Sequence, residues 1–498
     1  LPASFARQWS ARPQAAALID AADGRLVTAA ELESLSRQRA HEFLARGLAA
    51  GDRLLVSPGA PLESAVVVVA ALRAGLVLVP VNPQSTAAEL RHIMAETKPA
   101  ACAPGSAALG GAVAEIDPSV QRVGDGAVVT RPPAASRSGG TVAGALDASG
   151  PGDAALILFT SGTTGRPKGA VHSHGSLWAN AEALREAWRW SPDDRLVHAL
   201  PMFHAHGLCV GLLGTLHAGA AAVLLPRFGV PEVLGACARF RATLFFGVPT
   251  MYHRLHASGR AGELGSLRLA VSGSAALPAA LHVAIAAASG MAILERYGTT
   301  ETLMSLSNPY DGERRAGTVG FPLPGVEIRL LATASPAASP AAAGGALHDE
   351  LLVRGPALFT GYLGRPAETA EAFDDDWYRT GDIARVDEDG YVRILGRTKE
   401  LVISGGFNVY PAEVEDVLAE HPGVAQVAVT GTPSAEWGEV VTAWIVPSGD
   451  SDGLVAAITA FAAQRLAPYK CPRIVHLVAS LPRNALGKVV KHELDSGA

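Results

Sequence analysis

The 498-residue sequence predicts an α/β protein: a large N-terminal domain of α/β layers with a β-rich subdomain, then a small α+β C-terminal domain. Three observations carry this. Short apolar runs without polar alternation recur through the first part of the chain, as strands covered on both faces require. After Gly317 the texture shifts to short strands and turns. From about Glu400 a helix, two strands and a further helix follow, enough for a small core of their own.

Taken in order, residues 18–81 read as helix, strand, helix, strand, with "DRLLVSPG" and "GLVLVPVN" as the strands. The longest apolar run, "SAVVVVAALRAGLVLVPV" (64–81), is interrupted by Arg73 and Gly75. It is too short and too broken to span a membrane and reads as a buried helix leading into a buried strand. Residues 128–153, rich in Gly, Pro, Ala and Ser, read as an exposed connection. Further α/β alternation follows in "RLVHALPMF", "AAAVLLP", "ATLFFGVP", "LRLAVSGSAALP" and "AILERYG". The β-rich part holds "GVEIRLL", "DELLVRG" and "GYVRILGR", with the low-complexity "ATASPAASPAAAGGALH" expected as a mobile hairpin loop. The C-terminal elements are "AEVEDVLAEHP", "VAQVAVTGTP", "VVTAWIVP" and "LVAAITAFAAQRLA".

A net charge of −6 offers no general attraction for nucleic acid or anionic lipid. The four cysteines (Cys102, Cys209, Cys237, Cys471) form no C-x-x-C pair and fit free thiols in a reducing compartment. The start has no basic segment running into an apolar one, so a cytoplasmic protein is expected; it also lacks a first Met, which leaves a removed targeting segment open.

The chemistry concentrates in "LILFTSGTTGRPKGAVHSHG" (156–175). "LILF" reads as a buried strand and "TSGTTGRPKG" as the loop leaving it. Glycines 162, 165 and 169 allow tight turning and close approach of N–H groups to an anion. Thr160, Ser161, Thr163 and Thr164 supply hydroxyl donors, and Lys168 supplies a charge. The spacing is not that of the common nucleotide loop, which needs Gly, four residues, then Gly-Lys-Ser/Thr.

"TSGTTGRPKG" closely resembles the signature loop of the adenylate-forming superfamily of acyl-CoA synthetases, adenylation domains and luciferases. Further motifs of that family follow in order: "YGTTE" (297–301), "YRTGD" (378–382), "GRTKE" (396–400), "SGGFNVYPAEVE" (404–415) and "PRNALGK" (482–488). The resemblance implies that a carboxylate attacks the α-phosphate of ATP, giving an acyl-adenylate from which a thiol, here CoA, displaces AMP. Two anions must meet, so charge screening and alignment matter more than a covalent nucleophile. The resemblance gives Lys168, Thr160, Ser161, Gly162, Thr163 and Thr164 to the β- and γ-phosphates, and Thr300 to the α-phosphate. Glu301 falls to Mg²⁺, and Asp382, with Arg397 nearby, to the ribose. Ser274, Glu295, Tyr297 and Thr299 complete the nucleotide set. Lys488 matches the adenylation lysine, and Asn484 stands where the family often has Ser or Thr. The same resemblance implies a mobile lid from residue 397, hinged near Lys399 at the end of a domain covering residues 1–396. It assigns Gly405, Gly406, Lys470 and Arg473 to CoA; an exposed basic face explains the last two equally well.

For the acid, "PMFHAHG", "FFGVPTMYHRL" and "LERYGTTET" bring His204, His206, Arg254 and Arg296 into question. An apolar acyl pocket has no use for two guanidiniums, whereas a short diacid has a second carboxylate needing a fixed cation. These stretches are similar to the malonyl-CoA synthetase branch, in which His206, Arg254 and Arg296 would surround malonate. Thr299 stands where that branch usually shows Met, which leaves room for methylmalonate or another short acid. A zinc site at His198, His204 and His206 is disfavoured, since no H-E-x-x-H or Cys/His cluster accompanies them. Three alternatives stay open: a monocarboxylic acid as substrate, loading of a carrier protein, and a non-catalytic binding protein of the same fold.

Overall fold

Apolar runs that tolerate water on neither face build two large sheets, most of whose strands are parallel. The computed structural model describes residues 1–123, 145–160, 167–332, 349–404, 407–434, 437–484 and 488–494. Among these, one sheet has seven strands in the order Gly361–Tyr362, Gly169–Ser173, Ala154–Phe159, Val77–Pro80, Arg53–Val56, Ala101–Ala103, Gln121–Arg122. The other has nine: Phe321–Pro322, Leu306–Ser307, Leu294–Tyr297, Leu269–Ser272, Leu244–Gly247, Arg195–His198, Ala221–Leu224, Ala16–Asp20, Leu26–Thr28.

The run 64–81 forms the helix Pro61–Arg73 and the strand Val77–Pro80, both buried almost throughout. Arg73 does not break it. Its guanidinium is buried and pairs with Glu33 at 3.2 Å and Asp147 at 3.0 Å, so the charge ties the helix to its neighbours. Near residue 18 the structure differs from the expected helix. A hairpin of Ala16–Asp20 and Leu26–Thr28 comes first, and the helix Ala29–Ala45 follows it, begun by a Thr28–Glu31 capping box. The strand Ala16–Asp20 pairs in parallel with Ala221–Leu224, about 200 residues away, and no local pattern reveals such a partner. The exposed connection expected at 128–153 lies mostly outside the described residues.

A third sheet joins Glu327–Ala332, Asp349–Arg354, Trp377–Val386 and Phe373–Asp374, with Val392–Arg397 on the third of these. The insert expected as a hairpin loop lies outside the described residues; the strands flanking it pair antiparallel from Glu327↔Arg354 to Ala332↔Asp349. The small C-terminal domain has its own sheet, centred on Gly438–Pro447, and its own core of Val402, Val414, Leu418, Val429, Ile445 and Ile458. Among the described residues no helix is long and apolar enough to cross a membrane.

Asp194 fixes the alignment of the strands that carry the site. Buried just ahead of Arg195–His198, it accepts from Thr243 Oγ1 at 2.6 Å, Arg268 Nε at 2.6 Å and the Ser191 N–H at 2.8 Å. Thr243 and Arg268 each immediately precede a neighbouring strand. Burial pushes this carboxyl up, but the bonds from Arg268 and Thr243 outweigh it and hold it below the ordinary range. Asp194→Ala leaves Arg268 without its counter-charge and is expected to cost about 3 kcal/mol, read as a thermal midpoint lowered by several degrees. Because the folded carboxyl is the stronger acid, its contribution is complete above the unfolded pKa and fades as pH falls below about 4. The gap between wild type and variant should therefore narrow in acid.

Candidate active site

Four adjacent parallel strands of the nine-stranded sheet end at one edge: Leu294–Tyr297, Leu269–Ser272, Leu244–Gly247 and Arg195–His198. The segments leaving that edge carry Thr299–Glu301, Ser274, Arg254 and His206, so the topology gathers what the sequence scatters over about 100 residues. His206 opens a fully buried π-helix, His206–Gly214. A Cβ on Gly207 would lie 2.1 Å from the Pro201 carbonyl oxygen, so only glycine lets the chain pass there.

The phosphate loop joins two antiparallel strands, with Phe159 opposite Gly169. Its base is closed by the Thr160 N–H donating to the Lys168 carbonyl (2.9 Å) and the Lys168 N–H donating to Thr160 Oγ1 (3.2 Å). Ser161, Gly162, Thr163 and Thr164 lie outside the described residues. The Lys168 ammonium pairs with Glu368 and stands 4.9 Å from the centre of the Tyr362 ring.

The Thr300–Glu301 turn is held from the seven-stranded sheet and the segment beside it. His172 Nε2 donates to the Thr300 carbonyl at 2.8 Å, and burial lowers the His172 pKa to about 4, so this is a neutral imidazole with its proton on Nε2. The Phe359 N–H donates to the Glu301 carbonyl at 2.8 Å, and the Tyr362 hydroxyl donates to Glu301 Oε1 at 2.8 Å. Thr299 Oγ1 accepts from the Thr302 N–H, which tightens the same turn.

Further along, the Tyr297 hydroxyl donates to Asp382 Oδ2 at 2.5 Å, and Arg397 Nε lies 3.1 Å from Asp382 Oδ1. Burial raises the Asp382 pKa against the opposing pull of Arg397. Lys488 comes from the C-terminal domain and is anchored by its N–H to Asn484 Oδ1 (3.0 Å) and its carbonyl to the Asn484 N–H (2.9 Å). Burial and then Arg397 lower its amine pKa, while Glu400 and Asp382 oppose them, so the lysine feels the Asp382 carboxylate across the domain boundary. Arg393 of the large domain lies 3.9 Å from Asp416 of the C-terminal domain, within which Lys491 pairs with Glu415 at 2.7 Å. Lys399 falls in the short 3₁₀ turn Thr398–Glu400 between the domains. Gly405 and Gly406 lie outside the described residues. Lys470 pairs with Glu413 at 2.5 Å, and Arg473 stacks 3.9 Å from the Trp437 ring.

The acyl side is a cavity of about 290 Å³, walled by His204, His206, Phe228, Met251, Arg254 and Ser274, with Asn484 of the C-terminal domain closing it. Burial, with Arg296 and His198 adding, pushes His206 well below its ordinary pKa, so it is neutral. Its Nδ1 lies 3.4 Å from Ser274 Oγ, and Ser274 holds a left-handed φ of 72° to reach it. Arg254 stacks 5.1 Å from the Phe228 ring and has no carboxylate within 4.0 Å among the described residues. Arg296, 3% exposed, is not in the wall. It packs one layer behind, against Gly273, whose Cα leaves room that a Cβ would fill at 2.2 Å from the guanidinium carbon. Its Nε and Nη2 have no hydrogen-bond partner; burial lowers its pKa to about 9, which leaves it charged at neutral pH. Glu295, on the same strand, takes the Leu277 N–H at 2.8 Å, and burial raises its pKa to about 8.

His172, Tyr362 and Glu368 escape a sequence reading. Their signal is faint: a histidine four residues after the loop lysine, and "GY" ahead of a Pro-begun helix.

Fold and site together define a class. The chain matches the AMP-binding enzyme family over residues 5–363 and the AMP-binding enzyme C-terminal domain over residues 413–488, and it belongs to that family, whose named relatives are AMP-forming acid–thiol ligases. Among these is the malonate–CoA ligase of Arabidopsis thaliana, 40% identical over 377 residues; the match covers 69% of this chain and only 60% of that protein. ATP-bound MatB from Rhodopseudomonas palustris superposes with a TM-score of 0.88 at 38% identity, covering 99% of this chain and 98% of the other. A malonyl-CoA ligase with methylmalonyl-CoA and AMP bound is 42% identical, TM-score 0.66, with 94% and 97% covered. Other relatives, at 34–38% identity, are named for feruloyl, indoleacetate and long-chain fatty acids.

Gly298 opens the Thr299–Leu303 turn, and a Cβ there would lie 1.7 Å from the Leu303 carbonyl oxygen. Gly298→Ala must displace backbone by more than 1 Å, so kcat/KM for ATP is expected to fall about 100-fold, measured by pyrophosphate release, with the circular dichroism spectrum kept.

Proposed function

We propose that this protein ligates a short dicarboxylic acid, malonate or methylmalonate, to coenzyme A through an acyl-adenylate, releasing AMP and pyrophosphate. The observation that carries the diacid is a pair of guanidiniums beside a neutral His206: Arg254 in the wall, with no carboxylate within 4.0 Å among the described residues, and Arg296 behind it, with Nε and Nη2 making no hydrogen bond and only Glu295, itself pushed up to about 8, as a charge partner. Arg254 is exposed and free to meet an anion, while Arg296 is buried with unbonded N–H groups, which is costly and favours an anionic substrate nearby. The cavity volume of about 290 Å³ lies at the small end for ligand sites and suits an acid of few carbons.

In this reading the far carboxylate rests on Arg254 while the near one attacks the α-phosphorus of ATP, and the bond to the β-phosphate oxygen breaks. Lys168, the loop hydroxyls of Thr160, Ser161, Thr163 and Thr164, and the backbone at Gly162 hold the leaving pyrophosphate. Thr300 holds the α-phosphate, Asp382 exchanges its Tyr297 and Arg397 contacts for the ribose hydroxyls, and Ser274, Glu295, Tyr297 and Thr299 frame the nucleotide. Lys488 offsets the charge that grows between carboxylate and phosphate. Among the described residues no three His, Cys, Asp or Glu are gathered as ligands, so Mg²⁺ at Glu301 would draw most of its ligands from phosphate and water, as that ion prefers. When bound it supplies charge neutralisation at the phosphates. The lid, residues 397–498, then turns about Lys399. Gly405 and Gly406 come to line the thiol's path, with Lys470 and Arg473 near the CoA phosphates, and the thiol displaces AMP.

A panel of acids in a pyrophosphate-exchange assay tests the reading; butyrate turned over as well as malonate would overturn the diacid. Two variants sharpen it. Arg254→Ala is expected to raise KM for malonate at least tenfold while moving KM for acetate less than threefold. Lys488→Ala is expected to lose acyl-adenylate formation by a factor of about 1,000 while retaining thioester formation from supplied malonyl-adenylate, followed by release of AMP.

A further inference from the structure

Building on the reading of Glu301 as the metal carboxylate, we propose that Tyr362 is a positioning residue for the phosphate site. It keeps Lys168 and Glu301 apart, each aimed at the nucleotide. A lysine and a carboxylate on adjoining loops attract each other, and direct pairing would occupy the Glu301 carboxylate before any metal arrived; Lys168 pairs instead with Glu368, both side chains being about one-third exposed. Lys168 and Glu301 form no ion pair. The Lys168 ammonium stands over the face of the phenol ring, 4.9 Å from its centre, and the Tyr362 hydroxyl donates to Glu301 Oε1 at 2.8 Å. One side chain therefore holds the cation on its face and the anion at its tip. Glu301 Oε2 has no protein partner among the described residues and is left for an incoming cation.

The scaffold that sets Tyr362 is over-determined. Residues 361 and 362 pair with Val171 and Ala170, directly beyond the phosphate loop, and the Leu363 N–H donates to the Gly169 carbonyl at 2.8 Å. The Tyr362 N–H donates to Thr369 Oγ1 at 2.9 Å, and Gly361, at φ 142°, lies so close to Thr369 that a Cβ would fall 2.9 Å from its methyl. Three residues upstream, the Phe359 N–H binds the Glu301 carbonyl, so the same segment grips Glu301 by backbone and side chain together.

Tyr362→Phe keeps the ring and removes only the hydroxyl; Tyr362→Leu removes both functions. Calorimetric titration with ATP, with excess Mg²⁺ and again with EDTA, separates them. The Phe variant is expected to bind Mg²⁺-ATP about tenfold more weakly, as loss of a hydrogen bond to a charged group implies, and metal-free ATP within twofold of wild type. The Leu variant should lose affinity in both titrations. In a Glu301→Gln background, Tyr362→Phe should add less than twofold. A Phe variant that loses equally with and without Mg²⁺, or loses nothing, overturns the inference, as does a Mg²⁺ effect abolished by Glu301→Gln yet intact in Tyr362→Phe. Wild type that binds ATP equally with and without Mg²⁺ overturns the reading of Glu301 and the inference with it.

Discussion

Hydrogen bonds from one side of the molecule to a single turn on the other decide where the site can be. His172 takes hold of the Thr300 carbonyl, and the 359–362 segment takes hold of both ends of Glu301. Neither sheet contains the whole candidate site. The nine-stranded sheet offers the turn and the seven-stranded sheet offers the lysine loop, and only their docking brings hydroxyl, carboxylate and ammonium together. The donors are buried or half-buried and have no water to fall back on, so leaving them unmade is expensive. That cost makes the relation between the sheets specific rather than merely hydrophobic.

The site's cations are compensated to different degrees. Lys168 is matched by Glu368, but both side chains are about one-third exposed, and a pair in that setting is worth about 0–1 kcal/mol. A polyanion can take the lysine over at little cost. Arg73 and Arg268 are structural by contrast, each buried or half-buried against carboxylates that keep them in place. Arg296 belongs to neither group: it is enclosed, its Nε and Nη2 make no hydrogen bond, and Glu295 on the same strand is the carboxyl that acts on it. This gradient sets the cations that hold the fold apart from those that do not.

Much of this was legible in advance. The strands "LILF" and "ATLFFGVP" hold continuous apolar runs that double-sided burial explains, and they form where expected, as does "AILERYG" despite its Glu295 and Arg296. Glycine and hydroxyl spacing marked a loop after "LILF"; its base is closed by Thr160 and Lys168, and residues 161–166 lie outside the described residues. The N-terminal hairpin was not legible, since its strand Ala16–Asp20 is specified by a partner two hundred positions on. The π-helix at His206 was hidden too, because an apolar run with scattered glycines does not announce its hydrogen-bond spacing. Arg296 shows the limit on the site itself: the sequence supplies a guanidinium near the acid, but only Gly273 reveals that it stands one layer back. Tyr362 and His172 act through contacts between segments far apart in the chain, which no window of residues contains.

The strand Ala16–Asp20 leaves the ribosome long before Ala221–Leu224, the neighbour it must zip to. At a synthesis rate of roughly 5–20 residues per second, the interval between the two is on the order of 10–40 seconds. Throughout that time one edge of the nascent hairpin is an open template for any passing strand. The seam between Ala16–Asp20 and Ala221–Leu224 thus joins strands made far apart in time, and the earlier edge stays unpaired until its mate emerges.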